Sequence, residues 1–110
     1  MCEREYSGTT SSGVPAIQLV PHGFFVATAP LNLVYAAHGE RMKDISPEER
    51  RLYASVDTAF PGQNVYLYCA SEGLATVFRC AVDQQKLNQA MRLQSGQFVT
   101  FAQTVGYPQI

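Results

Sequence analysis

Charged side chains are scarce between residues 52 and 82, where only Asp57, Glu72 and Arg79 occur, whereas eight of the 17 in the chain crowd into residues 40 to 51. A chain of 110 residues has room for one modest core and buries somewhat over ~60% of the surface its unfolded state exposes. Part of so apolar a stretch is therefore expected to meet another subunit, which makes a homo-oligomer the expected state.

The formal net charge of −1 and the lack of a basic stripe interleaved with aromatics leave no electrostatic footprint for nucleic acid or an anionic membrane. No apolar run approaches the ~20 residues that span a bilayer, and Met1-Cys2-Glu3-Arg4-Glu5 lacks the basic and apolar segments of a signal peptide. A cytoplasmic location is expected. Cys2, Cys69 and Cys80 form an odd set with no C-x-x-C pair, so reduced thiols are expected rather than a disulfide framework or a zinc site.

Residues 1 to 23 are rich in Gly, Ser, Thr and Pro without apolar periodicity, and read as a loosely structured arm before a domain over residues 24 to 110. The apolar run Leu31 to Ala37, bounded by Pro30 and by His38-Gly39, predicts a strand covered on both faces. Ser46-Pro47-Glu48-Glu49 places a capping Ser, a Pro at the first helical position and a Glu three residues after the Ser, so a helix starts there. Pro61-Gly62 is expected to break or kink it.

Asn64 to Leu74 then carries apolar or aromatic side chains on nearly every face, which predicts a buried helix; on that reading Leu67→Asp destroys the fold. Thr76 to Arg79 reads as a short strand or extended loop, Asp83 as the cap of a helix carrying Leu87, Ala90 and Met91, and Phe98 to Val105 as a closing strand. The fold class expected from this order is α+β, a small sheet with packed helices.

Chemistry-bearing residues are sparse. His22 and His38 have no second ligand at a metal-like spacing, and structural or exposed roles are expected for both. Cys69 falls within the predicted buried helix and is expected to act as a small apolar residue. Asp57 and Glu72 are isolated acids, expected on exposed helix edges because no nucleophile or base is visible beside them. Dinucleotide, P-loop, nucleophile-elbow and H-E-x-x-H motifs are all missing.

Three segments, in order, resemble the C-terminal half of nitroreductase-family proteins, most closely the branch similar to azoline dehydrogenases. They are Phe25 to Tyr35, Asp57 to Val77 and Ala102 to Pro108. The resemblance implies a truncated nitroreductase fold, a homodimer, and FMN at the dimer interface passing hydride between NAD(P)H and an acceptor. It also places Gln63 and Asn64, and the segment Val77-Phe78-Arg79-Cys80, against the flavin ring as cofactor-binding positions.

Relatives of that branch commonly carry Gly where Cys80 stands. Their N-terminal half supplies an Arg and Ser cluster for the flavin phosphate, and this chain ends in Gln109-Ile110 where they often place a basic residue. A phosphate favours such cations or a helix N-terminus. An incomplete flavin site is therefore expected, with FMN held weakly or not at all. The alternative is a noncatalytic truncated domain that acts through self-association or by binding a partner or small molecule.

Overall fold

A computed structural model describes residues 28–108. The arm at residues 1 to 23, with Cys2 and His22, lies outside the described residues. Within them the chain runs β1 (Leu31–His38), a short 3-10 turn (Gly39–Arg41), α1 (Pro47–Glu72), β2 (Ala75–Arg79), α2 (Gln84–Ala90) and β3 (Gln97–Gly106). The three strands form one sheet in the order β1-β3-β2, antiparallel throughout. This is the small α+β arrangement expected from the sequence.

Local chemistry sets the helix boundaries. The Ser46 side chain accepts from the Glu49 N–H and the Glu49 carboxylate accepts from the Ser46 N–H, so the capping box forms. At the other end Gly73 takes a left-handed φ of 70°, and the Leu74 N–H donates to Cys69 O at 2.8 Å to close the last turn. Asp83 caps α2 by accepting from the Lys86 N–H. Ser46→Ala is expected to lower the free energy of unfolding by ~1 kcal/mol without altering activity or assembly, as read from a urea midpoint.

Several expectations are corrected. α1 is one continuous helix of 26 residues with Pro61 inside it, not two helices separated at Pro61-Gly62. Pro61 is solvent-exposed, and the backbone bond it removes is confined to one carbonyl. β1 is an edge strand with a largely exposed or half-exposed face rather than one covered on both sides, because β3 takes the central place. The Asn64 to Leu74 segment is not enclosed: Leu67 and Tyr68 are about 60% exposed, and only Cys69 is buried there.

Cys69 is the buried free thiol expected. Burial pushes its pKa up, partly opposed by a hydrogen bond from Thr76, so little nucleophilic thiolate forms. Cys80, against the reduced state expected, has its sulfur in a disulfide.

α1 packs on the sheet through a polar seam. Between Val34 and Ala36 the β1–β3 register shifts, so Tyr35 faces two residues of β3. Thr100 and Gln103 are three positions apart and would point to opposite faces of a regular strand; this bulge lets both reach α1. Thr58 Oγ1 lies 2.7 Å from Thr100 Oγ1 and also donates to Ala54 O. Gln103, fully buried, donates to Gly62 O and accepts from the Tyr35 hydroxyl at 2.7 Å. Burial, with a smaller contribution from the nearby Cys69 thiol, raises the Tyr35 pKa.

Candidate functional site

α1 and β2 meet at a cavity of about 200 Å³ lined by Ala59, Gly62, Gln63, Tyr66 and Phe78. Residues 59, 62, 63 and 66 follow helical spacing, so they share one face of α1. Phe78 enters from β2, where its N–H points away from β3 and donates to the Tyr66 hydroxyl at 2.6 Å. The Phe78 ring packs inward against Tyr35 and Phe101, with centroids at 5.9 and 5.3 Å. The lining is mostly apolar, and its side-chain polar groups are the Gln63 carboxamide and the Tyr66 hydroxyl.

The six residues expected to approach a flavin are only partly brought together. Gln63 and Phe78 face one another across the cavity although fifteen positions apart in the chain. Asn64 is exposed, and about 100° further round the helix than Gln63, so it does not join the lining. Val77 is fully buried and alternates to the opposite face of the sheet from Phe78. Arg79 and Cys80 are half-buried at the end of β2, and neither is among the lining residues.

Tyr66 is the participant that sequence reasoning missed. Its spacing of three from Gln63 was visible, but its partner, the Phe78 amide, lies twelve positions away and only folding brings it there. Asp57 and Glu72 are both exposed, as expected. A second cavity of about 250 Å³ lies between β1 and the middle of α1, where His38 and Asp57 both contribute to the wall. No group of three or more His, Cys, Asp or Glu side chains suited to a metal occurs among the described residues.

The sequence matches the model of the Nitroreductase family over residues 8–107. The chain belongs to the nitroreductase family. The match begins inside the stretch read as a loose arm.

Solved structures agree on the fold. A nitroreductase-type protein of Ralstonia eutropha JMP134 is 33% identical with a TM-score of 0.71, over 79% of this chain and 41% of that one. A nitroreductase family protein of Clostridium novyi NT is 25% identical with a TM-score of 0.63, over 77% and 46%. The NADPH:FMN oxidoreductase of Vibrio harveyi, solved in complex with NAD+, is 24% identical with a TM-score of 0.68, over 86% and 44%; that likeness concerns the fold alone.

This chain thus spans less than half the length of each of these three relatives. No curated protein matches the sequence. No helix among the described residues is long and apolar enough to cross a membrane.

Proposed function

We propose that this nitroreductase-family chain supplies one wall of an FMN-dependent NAD(P)H oxidoreductase site, of the azoline-dehydrogenase-like branch, and that the flavin site formed by the residues present is incomplete. The observation that carries this reading is the meeting of Gln63 and Phe78 across one cavity, since both lie in segments that resemble the ring-approach segments of the family. Bound FMN would supply a two-electron carrier between the nicotinamide and an acceptor. Gln63 would offer its carboxamide to a polar ring edge, and Tyr66 would fix the edge of β2 beside it.

The residues present fit part of the cofactor. About 200 Å³ falls below the ~300 Å³ at which cofactor pockets begin, and none of the described lining residues is basic. A flavin phosphate would need its cation from elsewhere in the assembly. The expected result is a protein that purifies colourless and quenches added FMN fluorescence only at high micromolar or weaker affinity. Cys80→Gly removes the side chain at the end of β2 together with its disulfide, and is expected to tighten binding modestly relative to Cys80→Ser, which opens the same disulfide but keeps a side chain there. Tight binding by the unmodified chain would overturn the incomplete-site reading, and no detectable binding by any variant would overturn the flavin reading.

A noncatalytic, self-associating domain is the second reading, favoured by one specific surface. Tyr53, Val56, Phe60 and Leu67 are 47–65% exposed and recur at spacings of three, four and seven along α1, opposite its buried face at Ala54, Thr58, Gly62 and Cys69. Such a stripe fits a helix covered from both sides, and we assign it to self-association of this chain. Residues 24 to 110 as the associating half domain, residues 1 to 23 as an arm and a cytoplasmic location belong to the same proposal. Phe60→Asp is expected to weaken association on the order of a hundredfold while the melting transition of the dissociated chain stays put. Sedimentation of both proteins decides it: an unmodified chain that is a well-folded monomer at micromolar concentration overturns the assignment.

A further inference from the structure

We propose that the cavity between β1 and the middle of α1 binds small organic cations that carry N–H donors, an alkylguanidinium or alkylammonium group. The proposal is independent of any flavin. The reason lies in the position of Pro61. In a helix the carbonyl of Asp57 would accept from the N–H of residue 61, and proline has none, so that carbonyl lacks its ordinary helical donor. Asp57 and Pro61 both line the cavity, so the residue that carries both this carbonyl and a carboxylate forms part of its wall.

The other polar groups are placed differently. Thr58 Oγ1 is already engaged by Ala54 O and Thr100 Oγ1, and Tyr35 O accepts from Thr100. His38, at the end of β1, and Tyr35 are the other titratable residues that line the cavity among the described residues, and the Tyr35 hydroxyl is spent on Gln103. Acceptors at Asp57 therefore dominate the wall, and Ala36, Ala54, Met42 and the Pro61 ring supply apolar surface for an alkyl stem. Arg50 lies two turns before Asp57 on the same face of α1, half-buried and about 10 Å away along the helix axis, close to the Debye length, so its charge is partly screened at Asp57. A donor-bearing cation suits both acceptors of Asp57, whereas an anion meets a carboxylate and a carbonyl that has lost its ordinary helical donor.

The experiment is an amide-resolved NMR titration of the full chain with methylguanidinium, with tetramethylammonium as a cation of the same charge lacking N–H donors. Saturable shifts confined to Ala36 to His38 and Asp57 to Thr58 are expected with methylguanidinium and not with tetramethylammonium. Asp57→Asn should weaken binding on the order of tenfold, the loss of one charge-assisted hydrogen bond. Pro61→Ala restores the helical donor to the Asp57 carbonyl without touching the carboxylate, and should weaken binding several-fold while leaving the helix intact. Equal shifts from both cations, an Asp57→Asn protein that titrates like the unmodified chain, or full affinity in Pro61→Ala would each overturn the proposal.

Discussion

Val77→Asp is expected to leave no folded protein. Val77 is fully buried in β2, paired with Thr104 and turned to the sheet face away from α1, so a carboxylate there would be taken from water without a partner. The cost of that burial is several kcal/mol, comparable with the ~5 to 15 kcal/mol that holds a whole domain together. Leu67→Asp tests the opposite case. At 60% exposure the new carboxylate stays hydrated, and the variant should fold with an unchanged monomer melting transition while associating more weakly. Far-ultraviolet circular dichroism and thermal melts of both proteins suffice. A cooperative melt of Val77→Asp at the temperature of the unmodified chain would show that β2 does not occupy the core.

That reversal between Val77 and Leu67 shows where a sequence stops being informative. Signals that act within a few residues were legible: the capping box at Ser46, the Asp83 cap and the β-branched character of β2. α1 was misread because it is apolar on two opposite faces. Composition reports that such a helix needs cover on both sides, and it does not report which side the same chain covers. Ala54, Thr58, Gly62 and Cys69 are small residues that let the helix approach the sheet, whereas the larger Phe60, Leu67 and Tyr68 point away. Ranked by hydrophobicity alone, the larger group would be placed inside.

The exposure of β1 was misjudged for a different reason. Periodicity along one strand says nothing about its neighbours, so the central position of β3 and the edge position of β1 follow only from pairing. The bulge at Tyr35 is likewise a property of two strands together, and without it the approach of Thr100 and Gln103 to α1 reads as impossible. Part of the candidate site was legible through family resemblance, which marked Gln63 and Phe78. The side-chain chemistry around them was not, because Val77 and the Phe78 ring serve the core and the Tyr66 hydroxyl reaches β2 only in the folded chain.

Gly62 gives the second large effect. A Cβ built there would lie 2.7 and 2.8 Å from two carbons of the Phe78 ring, closer than real Cβ contacts come. The ring cannot easily yield. It is 5% exposed, packed against Tyr35 and Phe101, and its backbone is held both by β3 and by the Tyr66 hydroxyl. In an unconstrained helix Gly→Ala is stabilising by ~1 kcal/mol. Overpacking costs ~1 to 3 kcal/mol. Gly62→Ala should therefore come out destabilising by about 1 kcal/mol, lowering the melting temperature by ~4 to 8 °C for a domain of this size. Gly62→Leu adds three more carbons where one already collides, and would lever α1 from the sheet, breaking the Gln103 to Gly62 hydrogen bond; no cooperative transition is expected. Pairing the smaller change with Phe78→Leu separates this cause from any intrinsic effect on the helix. If the ring is the obstacle, Gly62→Ala in the Phe78→Leu background should be neutral or stabilising, so the two substitutions are strongly non-additive. Additive losses would mean that Gly62 is needed for some reason other than the ring, and the close approach of α1 to β2 at the candidate site would have to be explained without it.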